Sequence, residues 1–128
     1  MPNRVIHARL ETLPTESLAG GALVRTAVRG DKSLITINWF HPGHSVQTPP
    51  PHSHPFDQVS FVFAGKVGFD VNGQVYEVAA GEVLHIPADA PHTAWLIGDE
   101  VALNVDVYAP VRDDYLHLVE HQADAFRD

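Results

Sequence analysis

The sequence predicts an all-β protein, built as an antiparallel sandwich or a small barrel. Short stretches rich in β-branched and aromatic residues recur along the chain, and Gly, Asn and Asp residues that favour turns separate them. Regular alternation of short strands and turns is typical of both architectures. The 128 residues suffice for one hydrophobic core, so we expect a single domain spanning residues 1–128.

The predicted strands begin after an N-terminal stretch, residues 1–20, whose weak patterning indicates an arm. The strands cover residues 22–29, 33–40, 58–63, 66–71, 74–78, 82–87, 92–97 and 101–109. Asn72 and Gly73 lie between two of them and predict a tight hairpin, because both residues tolerate positive φ.

The C-terminal tail, residues 113–128, has a different pattern from the rest of the chain. Its apolar residues recur at helical spacing, at Leu116, Val119, Ala123 and Phe126. This spacing predicts a short amphipathic helix with Asp113 or Asp114 near its N-cap.

The composition excludes several classes of partner. Sixteen acidic residues against eight basic ones give a formal charge of -8, which disfavours nucleic acid and anionic membranes as partners. The chain has no Cys but has nine His, so any bound metal must be held by His, carboxylate or amide groups. No stretch resembles a signal peptide or a membrane span, and we therefore expect a cytoplasmic protein.

Two predicted strands have one apolar and one polar face. Val59, Phe61 and Phe63 oppose Gln58 and Ser60 in the first, and Val101, Leu103, Val105 and Val107 oppose Asn104, Asp106 and Tyr108 in the second. In an ordinary sheet the polar face would meet solvent. Because His52 and His54 lie close to Gln58 in sequence, we predict instead that the polar face lines a cavity. The apolar face would then pack on a second sheet or another subunit, which favours a homodimer.

At this point the sequence resembles the cupins, in two motifs that occur in the expected order. The first is represented by Gly43, His52, His54, Gln58 and Gly65, and the second by Gly81, Pro87 and His92 in "GEVLHIPADAPH". Two ordered motifs are more specific than either alone. The resemblance covers roughly residues 33 to 109 and implies a double-stranded β-helix, the small jelly-roll barrel of the cupins.

The resemblance also implies a metal held by His52, His54, Gln58 and His92. Residues two apart on a strand point the same way, so His52 and His54 can face one ion, and Gln58 can add an amide oxygen. His85 is a weaker candidate for contact with these ligands. Most cupins carry a carboxylate where this chain has Gln58. An all-neutral ligand set would leave the ion its full charge and favour polarising chemistry. One divalent transition metal is expected, and zinc, nickel, iron, cobalt and manganese all remain possible.

The downstream segment "DVYAPVRDDYL" (106–116), together with "HSHPFDQ", is similar to the pectin-degradation cupins of the KdgF family. That family converts 4,5-unsaturated uronates into linear ketonised sugar acids. The resemblance implies catalytic roles for Asp106, Tyr108 and Arg112, with Asp106 moving protons and Arg112 clamping the substrate carboxylate. The family usually has Phe where this chain has Tyr108, which puts the choice of sugar in question. Without the resemblance, Asp106 would be a buried hydrogen-bonding residue and Arg112 a partner of Asp113 or Asp114.

Two other functions are compatible with the same residues. A cupin dioxygenase or polyketide-cyclase type of enzyme could use a His-rich site, and a non-catalytic cupin could bind a sugar acid as a sensor. The expected partner in the enzyme and sensor readings is a small-molecule sugar acid.

Overall fold

The computed structural model describes residues 5–44 and 48–122, which form two antiparallel β-sheets. The strands are β1 (Glu16–Leu18), β2 (Leu23–Arg29), β3 (Leu34–Phe40), β4 (Gln58–Ala64), β5 (Lys66–Val71), β6 (Gln74–Ala79), β7 (Glu82–Ile86), β8 (His92–Ile97) and β9 (Ala102–Tyr108). Three 3₁₀ helices cover Leu10–Thr12, Ala19–Gly21 and Asp113–Val119.

The larger sheet has the order β1-β2-β3-β9-β4-β7, and the smaller has the order β6-β5-β8. All neighbouring strands are antiparallel. The all-β prediction is therefore confirmed, and each of the eight predicted strands is present with its ends shifted by no more than one residue.

The expectation of an N-terminal arm over residues 1–20 does not hold for part of that range. Residues Glu16–Leu18 form β1 and pair in register with β2. Three residues are too few to show an alternating pattern, so the strand carries no sequence signal of its own. Across this pairing, Glu16 accepts a hydrogen bond from Arg25 Nε at 2.8 Å.

The predicted C-terminal helix is present, but its start differs from the expectation. It runs as a 3₁₀ helix over Asp113–Val119, and its N-cap residue is Arg112, which makes no side-chain capping bond. Val119 is buried as predicted, whereas Leu116 is 38% exposed. Ala123 and Phe126 lie outside the described residues. Among the described residues, no helix is both long and apolar enough to cross a membrane.

Glycine is required at two turns, in the β5–β6 hairpin and between β4 and β5. Asn72 and Gly73 both have positive φ, at 54° and 85°, which confirms the predicted β5–β6 hairpin. Gly65 joins the larger sheet to the smaller one with φ at 69°, and a Cβ there would lie 2.8 Å from Ala102 Cα. Only glycine allows the chain to cross between the sheets at this point.

The apolar core is divided into two clusters. One lies between the sheets and contains Val62, Val67, Phe69, Val71, Val78, Ile86, Ala90 and Ala102. The other holds the C-terminal helix against the larger sheet and contains Ala27, Leu34, Tyr108, Leu118 and Val119. Tyr108 belongs to the second cluster and also lines the central cavity, so the packing of the helix bears directly on the candidate site.

The larger sheet leaves an apolar outer face. The inward alternation of Gln58, Ser60, Asn104 and Asp106 is confirmed, because all four are buried. Their outward neighbours lie in register across the sheet, with Phe61 opposite both Val105 and Val83. Phe63 and Val83 are each 58% exposed. Contiguous apolar surface of this kind is typical of an interface, and an apolar face at the centre of the sheet suits a second copy of the chain.

We expect this outer face to form a homodimer that a single charge disrupts. Val83→Glu would bury a carboxylate in the interface and should give a monomer by light scattering at micromolar concentration. Val75→Glu is the matched control, since Val75 is 53% exposed on β6 of the other sheet. A wild-type protein that is monomeric at this concentration, or equal behaviour of the two variants, would contradict the expectation.

Candidate metal centre

Three histidines from two separate parts of the sequence, His52 and His54 from one and His92 from the other, converge at one point. A pair of backbone hydrogen bonds joins His52 to His92, with N–H to carbonyl distances of 2.9 Å in both directions. Their ring centres lie 4.5 Å apart, and the ring of His54 lies 4.9 Å from that of His92. One nitrogen from each of the three rings lies within 4.8 Å of the others, a spacing that one metal ion can bridge. His54 and His92 are buried, while His52 faces solvent.

The hydrogen bonds of two rings determine which nitrogen points into the cluster. His54 Nδ1 lies 2.7 Å from the carbonyl of Phe56, and His92 Nδ1 lies 2.9 Å from the carbonyl of Ala90. A carbonyl oxygen only accepts, so both Nδ1 atoms must carry the hydrogen, and each neutral ring then presents a bare Nε2. Backbone carbonyls commonly orient metal-binding histidines in this way.

The protonation of these rings also suits a metal. Although His52 is exposed as a residue, partial desolvation of its ring lowers its pKa, and the neighbouring His92 and His54 add to the effect. Burial likewise lowers the pKa of His92, against the opposing influence of the Ala90 carbonyl. Both shifts favour the neutral imidazole, which is the form that binds a metal.

Gln58 presents its amide oxygen to the same cluster. Its Nε2 donates to Ser60 Oγ at 2.9 Å, so its Oε1 must point the other way, and it lies 3.3 Å from His54 Nε2. Since His54 Nε2 carries no hydrogen in the tautomer set by Phe56, two lone pairs face each other across this gap. A cation between them would relieve the repulsion. The three histidines could therefore hold a metal, as expected, and the amide oxygen of Gln58 fits the same donor set.

The route by which His52 and His54 converge differs from the prediction. We expected a regular strand to align residues 52 and 54, but β4 begins only at Gln58, and the segment before it is irregular. His52 is held instead by its isolated bridge to His92, and the carbonyl of His54 accepts from Asp89 N at 2.8 Å. Three consecutive prolines precede His52, and their lack of N–H groups prevents a longer ladder.

Asp106 lies beside this cluster in a buried hydrogen-bond network. Its Oδ1 accepts from Ser60 Oγ at 2.6 Å and from Asn104 Nδ2 at 3.0 Å. Its Oδ2 accepts from Asn38 Nδ2 at 3.3 Å and from the Tyr108 hydroxyl at 3.4 Å. Burial raises the pKa of Asp106, although these hydrogen bonds oppose the rise. A buried carboxyl with a raised pKa beside a cavity is typical of a functional site.

Ser60 connects the two parts of the site. It accepts a hydrogen bond from Gln58 and donates one to Asp106, so a single hydroxyl joins the amide at the histidine cluster to the buried carboxyl. Tyr108 closes the other side of Asp106, and burial raises its pKa well above the ordinary value. Its hydroxyl therefore stays protonated and acts as a donor.

Histidines, amides and Asp106 surround one cavity between the sheets, with a volume of about 190 Å³. Its wall includes His52, His92, Gln58, Asn104, Asp106 and Tyr108. The volume is below the usual range for drug-sized ligands, and this favours a substrate about the size of one sugar.

Arg112 lies close to this cavity, but its guanidinium is already engaged. Nε and Nη2 contact the two carboxylate oxygens of Asp114 at 3.0 and 2.5 Å, the ion pair that the sequence suggested as an alternative. The guanidinium also lies 3.8 Å from the ring centre of Tyr115. Its Nη1 is buried without a hydrogen-bond partner among the described residues, and Arg112 is not part of the cavity wall.

Sequence reasoning missed several polar residues of the cavity wall, among them Arg25 and Asn38. Both occupy the inward positions of predicted strands, and the register places them directly opposite each other. Their alternation with neighbours of the opposite face could have indicated that they point into the cavity. By contrast, His85 is wrong as a candidate for contact with the metal ligands, because it lies on the outer face and pairs with Asp57 at 3.2 Å.

Comparison with known proteins identifies the architecture. The family model for the Cupin domain matches residues 40–108, more than half of the chain. Among curated proteins, none matches the chain.

Several solved structures share the fold. An RmlC-like cupin from Shewanella frigidimarina superposes with a TM-score of 0.74 at 24% identity, covering 90% of this chain and 99% of that one. KdgF from Halomonas sp. gives 0.69 at 21% identity, with 81% and 92% covered. An oxalate oxidase bound to glycolate gives 0.64 at 20% identity, with 82% and 59% covered. At these identities the likeness establishes the fold alone.

Removing any one of the three histidines should strongly lower metal content. His52→Ala, His54→Ala and His92→Ala each delete an imidazole ligand, whereas Gln58→Ala deletes a weaker oxygen ligand and should lower metal content less. Elemental analysis after dialysis against trace divalent metal measures the effect.

The matched control is His85→Ala, because His85 lies on the outer face of the same larger sheet. Its metal content should equal that of the wild-type protein. Stoichiometric metal in a His52→Ala/His54→Ala double variant would overturn the assignment.

Proposed function

The chain belongs to the cupin family, and on that basis we propose that it is a metal-dependent enzyme acting on 4,5-unsaturated uronates. The reaction would open the sugar ring and convert the product to the linear ketonised sugar acid. The observation that carries the proposal is the chain of contacts from His54 through Gln58 and Ser60 to Asp106. It supports the proposal because a buried carboxyl lies close to three histidines that could hold a metal, beside a cavity of about 190 Å³.

The chemistry of the substrate calls for proton movement without a change in oxidation state. Breaking the bond between C1 and the ring oxygen requires removal of the proton from the C1 hydroxyl, which yields an aldehyde at C1 and an enol at C5. Protonation of C4 and loss of the enol proton then yield the ketone at C5. Every proton that leaves the sugar is returned, so one group able to accept and donate can serve the whole reaction.

Asp106 has the properties that this role requires. Its burial raises its pKa above that of an ordinary carboxyl, and a higher pKa makes the carboxylate a stronger base. Asn104 and Asn38 hold its two oxygens in place, so the carboxyl does not have to reorganise during the reaction. We propose that Asp106 takes the C1 hydroxyl proton and returns a proton to C4.

A divalent metal held by His52, His54, Gln58 and His92 would stabilise negative charge on a substrate oxygen. The ligands offered are all neutral, so the charge of the ion would not be offset by a carboxylate in this set. Zinc, nickel, iron, cobalt and manganese remain candidates.

Tyr108 and Arg112 have supporting roles in this proposal. The Tyr108 hydroxyl donates to Asp106 and would orient its carboxyl. The same hydroxyl could also influence which sugar the enzyme prefers. The unpartnered Nη1 of Arg112 supports the predicted clamp on the substrate carboxylate. The pair with Asp114 argues against a bidentate clamp, because it already occupies Nη2.

Metal-loaded protein mixed with an unsaturated uronate should bleach the ultraviolet absorbance of the conjugated double bond without consuming oxygen. Oxygen uptake would favour a cupin dioxygenase. The oxalate oxidase among the similar structures shares the fold with this chain, and its likeness supports no more than that. Binding without bleaching would favour a sensor. Galacturonate-derived, mannuronate-derived and guluronate-derived substrates should all be tested, since Tyr108 bears on the choice.

Asp106→Asn should retain the fold and the metal but lower turnover about a hundredfold or more, because it removes the basic carboxylate while keeping size and hydrogen bonding. Asp31→Asn is the matched control, because it makes the same chemical change at an exposed residue in the turn between β2 and β3. Initial rates of bleaching, with metal content and circular dichroism in parallel, provide the comparison. Near-full activity of Asp106→Asn on every substrate would remove this residue from the mechanism.

A further inference from the structure

We infer that Arg25 binds the carboxylate of the sugar acid and so selects acidic over neutral sugars. The inference rests on the proposed function, of which it names the substrate-recognition residue. It concerns a residue of β2, outside the matched segment 40–108.

Arg25 faces the cavity from the side of β2. It pairs across the sheet with Asn38, which in turn pairs with Asn104, and all three residues lie in the cavity wall. Asp106 lies two residues beyond Asn104 on β9, on the same inward face. The cavity thus has a guanidinium on β2 and the proton-transfer group on β9, two strands away and roughly 10 Å across the sheet.

The hydrogen bonds of Arg25 leave part of its guanidinium available. Nε and Nη2 both contact one oxygen of Glu16, Oε1, at 2.8 and 2.7 Å. The other oxygen of Glu16 lies 3.1 Å from His117 Nε2. Among the described residues, Arg25 Nη1 has no hydrogen-bond partner, although only 16% of the side chain is exposed. A partly buried guanidinium with a free donor favours an anionic ligand.

The contrast with Arg112 supports the assignment. Arg112 uses both prongs of its fork on Asp114 and does not reach the cavity wall. Arg25 uses its prongs on a single oxygen and does line the cavity. Both guanidinium groups contact the ring of Tyr115, at 4.6 Å for Arg25 and 3.8 Å for Arg112. The ring of Tyr115 therefore helps to hold the Arg25 guanidinium in position.

A saturated sugar acid that cannot react measures recognition apart from turnover. Calorimetry on metal-loaded protein should compare galacturonate with galactose, which differ in the carboxylate. We expect wild-type protein to prefer galacturonate, and Arg25→Met to reduce that preference about tenfold or more, the usual effect of losing a charge-assisted hydrogen bond. Arg25→Lys, which keeps the charge, should restore part of it.

Glu16→Gln separates recognition from structure. If Arg25 binds the ligand, removing its competing carboxylate should leave galacturonate binding as tight as in the wild type, or tighter. If the pair with Glu16 only holds β1 to β2, Glu16→Gln and Arg25→Met should be impaired alike. The ratio of the two sugar affinities does not depend on the folded fraction, so a loss of stability cannot imitate the expected result.

The outcomes separate this inference from the proposed function. Wild-type protein that prefers neither sugar would remove the sugar-acid specificity and the inference with it. A wild-type preference that survives in Arg25→Met, or that is lost only in Arg112→Met, would overturn the role of Arg25 and leave the proposed function standing.

Discussion

The site depends on imidazole nitrogens and an amide oxygen whose lone pairs have no hydrogen-bond donor and which the fold brings close together. The carbonyls of Phe56 and Ala90 take the hydrogens of two imidazoles, and Ser60 takes the amide hydrogen of Gln58, so the remaining bare atoms all point inwards. The pair of backbone bonds between His52 and His92 holds the third ring against them. Such an arrangement is unfavourable without a cation and stable with one, which is why the geometry indicates metal binding more strongly than the count of histidines does.

The same constraint extends to the buried carboxyl. Because Gln58 must present its oxygen to the histidines, its amide nitrogen needs an acceptor, and Ser60 provides it. Ser60 then has its own hydrogen to donate, and Asp106 accepts it. The orientation of a ligand and the environment of the proton-transfer group are therefore linked through one hydroxyl. Buried polar networks are costly when partly satisfied, so the metal and the carboxyl should be regarded as one unit.

Much of the fold and of the site could be predicted because alternation along strands reports directly on which face is buried. Period two showed that the polar residues of β4 and of β9 each share one face, and the nearby His52 and His54 indicated that this face lines a cavity. The isolated bridge of His52 could not be predicted, since it depends on pairing with a strand forty residues later. Nor could β1, which is too short for a pattern, or the role of Arg25, whose neighbours in space come from distant segments. Local periodicity predicts which residues share one face of a strand, whereas long-range contacts determine which residues that face packs against.

X-ray absorption spectroscopy on protein loaded with one zinc or cobalt ion tests the central claim most directly. The account predicts a single ion coordinated by three imidazole nitrogens and at least one oxygen, with one imidazole lost in His92→Ala and the oxygen contribution changed in Gln58→Ala. Coordination dominated by carboxylate oxygens, or a spectrum unaffected by the loss of His92, would contradict it.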